Sequence, residues 1–448
     1  MMNAPISGWT AALGSRTALA ILLALAALIF FERAQTNGRL VNTRVSRTDQ
    51  GAYINYAIKL KASGYQEVGS RNRMPLYPLL LSTQLAPEDT QHTFFARGKT
   101  FNILLALAGL AGIAAVFLRS FPRHHAVNLL FLTAFTVFLF KAPHVQAEIL
   151  YYVLTFAVFL ACWRLFRKPS LPLAAFAGVL TGLGHLTKAS VLPGIFCFAV
   201  FYVLDAIWKN RPPIAQPIRR MAVACLAAGA FLAVIFPYIS KSKEIYGHYF
   251  YNVNSTFYFW CDSWDEAVAR TKKAGDRSGW PDLRPEDTPS AANYLRTHST
   301  GQILQRIGQG IMTVNYSMRK SYGYYGLLWA YTISAGLLLI WKKHLLWRLF
   351  VRRPMPVLAL SAYFSGYFLL IAWYSQIIDG NRFILGLFLP WLFTLSIFIV
   401  RFTRRERISL PGLSVPVLTI FNTVISLWLL VEILVNCFVR IPTVYGGS

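Results

Sequence analysis

The chain of 448 residues is 55% hydrophobic and 14% charged, with 44 Lys and Arg against 18 Asp and Glu. Soluble domains carry about 25% charged residues, so this composition excludes a soluble globular protein, a disordered chain, a collagen and a coiled coil. The net charge of +26 does not indicate nucleic-acid binding, because the basic residues form short clusters between long apolar blocks. The sequence therefore predicts a polytopic membrane protein.

Each apolar block is close to the roughly 20 residues that a helix needs to cross the hydrocarbon layer. Helices are expected because lipid offers no hydrogen-bond partner to open backbone groups. We predict eleven spans, the first of them retained because no convincing cleavage site follows it: 14–31, 100–118, 127–141, 148–163, 171–187, 189–207, 221–239, 325–341, 356–374, 383–400 and 414–436. The predicted fold is an all-α polytopic membrane protein.

Basic residues are distributed unevenly between the two sides of these spans. On one side, five short loops carry clusters of Lys and Arg that are opposed by Glu406 alone. By the positive-inside rule this side is cytoplasmic, so we expect the N-terminus inside and the C-terminus outside. The chain is then predicted to divide into an N-terminal transmembrane module over 1–239 that includes the outer loop 32–99, an outer loop region over 240–324, and C-terminal transmembrane helices over 325–448.

Both long outer segments contain sequence that is expected to fold. Residues 49–63 have the pattern of an amphipathic helix, and 263–266 have the spacing of a capping box that begins a second one. Two more helices are predicted at 289–298 and 302–317. Trp, Tyr and Phe occur throughout these segments, so we expect the helices to lie along the outer face of the membrane.

Two carboxylates at the predicted outer boundary are candidates for catalysis, since acidic residues are rare in this chain. Asp49 begins the first amphipathic helix, and Glu148 begins the span 148–163. A carboxylate in such a place can deprotonate a hydroxyl group, which contributes about 10²–10⁴ in rate. The alternatives are a helix N-cap for Asp49 and a first-turn acid that interacts with the helix dipole for Glu148.

Basic residues that the positive-inside rule does not explain also lie at this boundary: Arg71, Arg73, Lys188 and Arg382. A cation at this depth is costly and is by default functional or paired. Arginine binds a phosphate through two parallel hydrogen bonds, whereas lysine acts as a point charge. The alternatives are snorkelling to lipid headgroups and, for Arg382, simple neutralisation by Asp379.

Histidines and aromatic clusters lie near the same boundary. His144 and His185 are candidates for substrate binding, with satisfied buried positions as the alternative. The aromatic clusters at 257–260 and 322–325 suit stacking on sugar faces or an interfacial belt. Carboxylates, cations and rings at one boundary favour a reaction between a phosphate-bearing substrate at the membrane surface and a hydroxyl acceptor.

No cofactor is expected. The sequence has no Walker A motif, no GxGxxG after a strand, no HExxH and no nucleophile elbow. The predicted cytoplasmic loops are too short for a nucleotide-binding domain, so a nucleotide donor bound from inside is not expected. The five cysteines show neither metal spacing nor a disulfide framework, although a single Cys261–Cys437 bridge is compatible with their positions.

Seven short motifs follow one another along the chain. They begin with Thr-Asp-Gln-Gly-Ala-Tyr-Ile-Asn-Tyr-Ala at 48–57 and Arg-Met-Pro-Leu-Tyr-Pro at 73–78, and continue at 148–152, 182–188, 236–237, 294–298 and 381–383. Their order and their predicted faces resemble the polyprenyl-phosphate-sugar glycosyltransferases of the GT-C superfamily. These include the protein O-mannosyltransferase-like enzymes and the lipid A aminoarabinose transferase. The resemblance covers nearly the whole chain.

The resemblance implies roles for individual residues. Asp49 would be the general base that deprotonates the acceptor. Arg73, Lys188 and Arg382 would bind the donor phosphate. Glu148 would shape the sugar or acceptor pocket. Tyr77 joins the substrate-binding set, together with Arg71, His144 and His185.

The implied chemistry is displacement at the anomeric carbon with polyprenyl phosphate leaving, on the periplasmic face of a bacterial-type inner membrane. Many relatives need no divalent metal. The family often has Asp-Glu in the first loop, whereas this chain has Asp49-Gln50. Any role that needs a second acid there, metal binding included, is therefore in doubt.

The implied partners are a polyprenyl-phosphate-linked sugar donor, a glycan, lipid or protein acceptor, and membrane lipids, with no nucleic acid. Two other functions stay open. A transporter or flippase for a lipid-linked saccharide predicts internal repeats with broken helices, and the sequence has no repeat between its halves. A ligase or polymerase that moves a preassembled glycan from a polyprenyl diphosphate shares the predicted topology.

Overall fold

A computed structural model describes residues 15–46, 48–208, 215–274, 284, 286–320, 322–378, 380–410 and 413–444. In its first half, every regular secondary-structure element in these ranges is a helix. The helices are α1 (Arg16–Leu40), α2 (Gln50–Ala62), α3 (Leu76–Ser82), α4 (Gln91–Ser120), α5 (Arg123–Lys141, with a π-helical segment at Ala134–Phe138), α6 (Glu148–Arg167), α7 (Leu171–Thr187), α8 (Leu192–Trp208, after a 3-10 turn at Ala189–Val191) and α9 (Ala215–Tyr246).

The second half adds shorter helices, five helices of 18 or more residues and one hairpin. Its elements are α10 (Val253–Thr256), a 3-10 turn (Tyr258–Trp260), α11 (Trp264–Ala274), α12 (Ala291–Thr297), α13 (Thr300–Arg319), α14 (Tyr324–Trp341), α15 (Lys343–Arg352), α16 (Pro354–Tyr374), α17 (Asn381–Thr403), β1 (Arg407–Leu410), β2 (Leu413–Pro416) and α18 (Val417–Leu434), which continues as a π-helix over Val435–Val444.

The apolar blocks predicted as spans coincide with helices. In the described ranges, ten helices are long and apolar enough to cross a membrane: α1, α4, α5, α6, α8, α9, α14, α16, α17 and α18. The predicted span 171–187 coincides with α7, an apolar helix of 17 residues. These helices agree with the predicted α-helical polytopic membrane protein, apart from one short pair of strands.

Three helices extend well past the predicted spans. α1 continues to Leu40, α4 begins at Gln91, and α9 continues to Tyr246. The two loops predicted to be outer are therefore shorter than 32–99 and 240–324. Polar and aromatic residues continue these helices beyond the apolar block, which hydropathy alone does not detect.

The antiparallel hairpin of β1 and β2 differs from the predicted all-helical arrangement, since span 414–436 was expected to begin as a helix. Ile408 faces Val415 in its register. Apolar and polar residues alternate in both strands, a pattern that suits extended backbone. Pro416 lacks a backbone N–H and precedes the first turn of α18, where the helix begins.

The helices predicted in the outer segments are present. α2 buries Tyr53, Tyr56 and Leu60 on one face, as its amphipathic pattern predicts. Ser263 Oγ accepts a hydrogen bond from the Glu266 backbone N–H at 3.1 Å at the start of α11. α12 and α13 overlap the helices predicted at 289–298 and 302–317. α13 begins earlier than predicted, because Ser299 and Gln302 form a capping box there.

An ionic centre holds the second outer segment together and ties it to α16. Asp262 accepts hydrogen bonds from Tyr294 at 2.7 Å, His298 at 2.9 Å and Arg306 at 3.1 Å. Burial raises the pKa of Asp262, but the hydrogen bonds from Tyr294 and His298 outweigh it and hold the pKa below its ordinary value. The Arg306 guanidinium lies 4.2 Å from the Trp373 ring centroid. Cys261, next to this centre, is free, as is Cys437, so the bridge that the sequence allowed does not form.

Candidate functional site

Four helices and one loop bring five of the predicted residues together at one end of the bundle. Asp49 immediately precedes α2, Glu148 begins α6, Lys188 follows α7, and Arg382 lies in the first turn of α17. Arg73 reaches them from the loop before α3. The basic clusters after α4, α6 and α17 lie at the other ends of those helices, so this end is the one predicted to be outer.

Asp49 is held between two guanidinium groups. Its Oδ1 accepts a hydrogen bond from Arg73 at 2.9 Å, and its Oδ2 accepts one from Arg382 at 2.7 Å. The residue occupies the N-cap position of α2, but its side chain makes no capping hydrogen bond. The carboxylate is thus directed to the cationic groups and not to the end of its own helix, which argues against the N-cap alternative.

Glu148 is the second acid of the cluster and is almost fully buried. Its Oε1 lies 3.4 Å from Lys188 Nζ and 3.9 Å from an Arg382 nitrogen. Arg382 therefore lies between both carboxylates. Glu148 is also in the first turn of α6, where the helix dipole favours a negative charge. It can therefore stabilise the start of this helix and also belong to the charged cluster.

Aromatic rings surround the cations of the cluster. Lys188 Nζ lies 4.9 Å from the Phe383 ring centroid and 5.3 Å from that of Tyr151. The Arg73 guanidinium lies 5.5 Å from the Tyr53 ring. Three cations oppose two carboxylates here, which leaves one positive charge in excess. Such a site attracts an anion.

The pKa of Asp49 is set by opposing effects. Burial raises it, but the charges of Arg73 and Arg382 and the hydrogen bond from Arg382 outweigh burial and hold the pKa below its ordinary value of 3.8. The carboxylate is therefore ionised at neutral pH.

A cleft of about 420 Å³ opens beside Asp49. Its volume lies within the roughly 300–1,000 Å³ of sites for small ligands. Its lining is Val41, Thr48, Asp49, Phe140, Lys141, His144, Gln146, Tyr322, Gly380, Asn381 and Arg382. The rings of Phe140 and Tyr322 stack in its wall with centroids 3.8 Å apart.

Thr48 marks backbone strain beside Asp49. Its φ is +64°, a left-handed conformation that is unfavourable for a β-branched residue. Its hydroxyl accepts a hydrogen bond from Gln146 Nε2 at 2.8 Å. Strain of this kind costs about 1–3 kcal/mol and concentrates at functional sites, which agrees with a role for Asp49.

Gln50, where the chain departs from the Asp-Glu pattern, is directed away from the cluster and is fully buried. Its amide exchanges two hydrogen bonds of 2.7 Å with the amide of Asn42, and its Oε1 also accepts one of 2.8 Å from the Val145 backbone. Gln50 thus fixes the turn between α5 and α6 against the first loop.

Gln50→Glu is expected to destabilise the protein without adding catalytic function. A carboxylate cannot donate to Asn42 Oδ1, so a charge would be buried with an unsatisfied partner, at a cost of about 1–3 kcal/mol. A lowered unfolding temperature in lipid discs would report this cost. An unchanged unfolding temperature, or activity newly dependent on a divalent metal, would contradict the assignment.

Among the other predicted residues, His144 lies on the cleft wall, whereas Arg71 and His185 contact residues outside the cluster. Arg71 Nη1 lies 3.5 Å from the Tyr258 hydroxyl. His185 is buried against Phe231 and Phe250. These positions suit structural roles.

Tyr77 is fully buried, with its ring edge-to-face against Tyr53 at 5.3 Å. Its hydroxyl has no hydrogen-bond partner among the described residues. We expect Tyr77→Phe to retain activity and the unfolding temperature within a few degrees, because only an unpaired buried hydroxyl is removed. A large loss of activity in purified protein would instead support the substrate-binding role that the sequence predicts.

Lys141 is the functional candidate that sequence reasoning missed. It is the last residue of α5, so it was counted within the span 127–141. Its Nζ donates to Asn381 Oδ1 at 3.0 Å on the cleft wall. A lysine at the predicted outer end of a span is a signal of the same kind as Lys188.

Asp379, the predicted partner of Arg382, lies outside the described residues. No group of three or more His, Cys, Asp or Glu suited to a metal occurs in the part of the chain that the structure describes.

Comparison with known proteins adds no relative to these observations. No protein-family model matches the chain, and neither a curated protein nor a solved structure matches it significantly. The geometry of the charged cluster therefore carries the functional argument.

Proposed function

We propose that this chain is an integral membrane glycosyltransferase that transfers a sugar from a polyprenyl-phosphate donor to a hydroxyl group of a glycan, lipid or protein acceptor. The observation that carries the proposal is the position of Asp49. Its ionised carboxylate lies between Arg73 and Arg382, at the end of a membrane bundle and beside an open cleft. A base next to cations at that depth suits a reaction between a lipid phosphate and a hydroxyl group.

The proposed reaction is a displacement at the anomeric carbon of the donor sugar. The acceptor oxygen forms a bond to that carbon while the bond from the carbon to the phosphate oxygen breaks. The acceptor proton passes to Asp49, and the bonding electrons leave with polyprenyl phosphate. Arg73, Lys188 and Arg382 offset the charge that develops on the departing phosphate, which is the kind of preorganised electrostatic stabilisation that dominates such steps.

The ion pairs of Asp49 give the proposed base a means of activation. A donor phosphate that binds Arg73 and Arg382 competes with Asp49 for the same guanidinium groups. Their attraction for the carboxylate then weakens, and the pKa of Asp49 rises from its lowered value. Donor binding would thus prepare the base at the moment when the acceptor needs it.

The proposal places the reaction on the outer side of a bacterial-type inner membrane, since the cluster lies at the helix ends opposite the basic loops. Glu148 pairs with Lys188 and Arg382. It would keep these cations in position and line the sugar or acceptor pocket. No cofactor is part of the proposed reaction.

Donor binding tests this proposal. The protein in phosphatidylcholine discs would be titrated with farnesyl phosphate and with farnesol, which lacks the phosphate. We expect the phosphate to increase affinity by at least about tenfold, since a charge-assisted hydrogen bond contributes roughly 1.5–3 kcal/mol. Equal affinity for the two lipids would contradict a phosphate site. Tight binding without turnover of any sugar donor or acceptor would instead favour the transporter.

A further inference from the structure

The cleft beside Asp49 has a polar and cationic lining. Lys141 and Arg382 supply two positive charges, and Asp49 is the one acid among its described lining residues. Both oxygens of Asp49 are already bound to arginines. The cleft is thus suited to an anionic ligand.

Lys141 has a neutral partner in a place where a cation needs an anion. Its ammonium group donates to the Asn381 amide oxygen at 3.0 Å, and it forms no ion pair in the described ranges. A lysine held at the end of a span is costly unless it is paired or functional. The nearby carboxylates of Asp49 and Glu148 are bound by other cations.

The cations around Asp49 differ in their position relative to the cleft. Lys141 lines the cleft, whereas Arg73 and Lys188, which are proposed to bind the donor phosphate, do not. Lys188 lies among Glu148, Tyr151 and Phe383. A transferase needs two substrate sites that meet at its base, and Arg382, which lines the cleft, is bound to Asp49 and lies 3.9 Å from Glu148.

We infer that the cleft is the acceptor site and that it selects an acceptor sugar bearing a phosphate group, which Lys141 binds. This inference rests on the proposed function for the identity of the cleft as acceptor site. The acceptor hydroxyl must contact Asp49, and Asp49 lines the cleft. The stacked Phe140 and Tyr322 form an aromatic wall beside the sugar, and Lys141 supplies a point charge for the phosphate.

The test measures binding directly, so that its result does not depend on turnover. The purified protein in phosphatidylcholine discs is titrated with glucose, glucose 6-phosphate and farnesyl phosphate, with affinities taken from ligand-observed NMR. Variants are Lys141→Gln, Lys141→Arg and the control Lys59→Gln, an exposed lysine on α2 away from the cleft. Thermal unfolding of each variant reports its folding.

Wild type and Lys59→Gln are expected to prefer glucose 6-phosphate to glucose. Lys141→Gln should bind glucose 6-phosphate at least about tenfold more weakly, the loss of one charge-assisted contact. Lys141→Arg should retain the preference. The affinity for farnesyl phosphate should change by less than about twofold in all variants. Lys141 is not one of the three cations that are proposed to bind the donor phosphate, which are Arg73, Lys188 and Arg382.

Three results would overturn the inference. The first is a wild type that binds glucose and glucose 6-phosphate equally. The second is unchanged binding of glucose 6-phosphate by Lys141→Gln. The third is a selective loss of farnesyl phosphate affinity, which would assign Lys141 to the donor phosphate. Failure of the proposed function is separate, because it requires that farnesyl phosphate bind no better than farnesol.

Discussion

Asp49→Asn should lower the rate of sugar transfer by about 10²–10⁴-fold, the contribution of a general base. The amide keeps the shape of the carboxylate but cannot take up the acceptor proton. Donor affinity should be at least as high as in wild type, because the donor phosphate no longer competes with a carboxylate for Arg73 and Arg382. Single-turnover rates and donor titrations on the same preparation separate these two effects.

Asp89→Asn is the matched control. Asp89 precedes α4 in the same predicted outer segment and is paired with Arg97 at 2.8 Å, but it lies outside the cluster. The Asp89→Asn variant should transfer sugar at the wild-type rate. Equal rates in Asp49→Asn and wild type would remove the base assignment, and an equal loss in both Asp variants would indicate a general effect of charge.

Arg382→Lys should reduce transfer by roughly 10²-fold, similar to the loss of one preorganised donor to a developing anion. Arg382 Nη1 lies 2.7 Å from Asp49 Oδ2 and 3.9 Å from Glu148 Oε1. Lysine offers a point charge without the planar guanidinium fork, which would bind the donor phosphate through two hydrogen bonds. The positive charge is retained, so long-range attraction for the donor should persist. The rate of sugar transfer at saturating donor concentration tests this prediction.

Arg97→Lys provides the control for this substitution, since Arg97 is an exposed partner of Asp89. It should behave as wild type. Thermal unfolding of Arg382→Lys should show a folded protein, because Glu148 keeps Lys188 as partner. Full activity in Arg382→Lys would contradict the proposal that a guanidinium at this position binds the donor phosphate through two hydrogen bonds.

The sequence predicts the helices of the bundle well for a physical reason. A span must be continuous, apolar and about 20 residues long, and these properties are local. The hairpin of β1 and β2 was missed because a short alternating segment beside an apolar block resembles the end of that block.

Residue types and the predicted boundary identified Asp49, Glu148, Lys188 and Arg382, but not their partners. Asp49 and Arg382 are 333 residues apart in the chain, and no local pattern encodes their contact. The sequence also could not predict that the Gln50 side chain is directed away from the cluster, because its buried amide pair with Asn42 leaves no periodic pattern.

Lys141 illustrates a different limit. Hydropathy assigned it to a span, where a single charge is tolerated, and its position in the cleft depends on the end of α5 after the π-helical segment at Ala134–Phe138. Asn436 donates to the Phe135 carbonyl oxygen at 3.0 Å, so a residue of the last helix supports that segment. A contact between distant parts of the chain thus supports the helical segment that precedes this lysine.

The most direct test of the account is a single-turnover experiment in lipid discs with a panel of labelled polyprenyl-phosphate sugars and a cell-envelope extract as acceptor. Donor binding is measured in parallel for wild type and Asp49→Asn. We predict that wild type transfers the sugar of at least one donor, and that Asp49→Asn binds this donor without transferring its sugar. Equal transfer by both proteins, or no binding of any donor by wild type, would contradict the account.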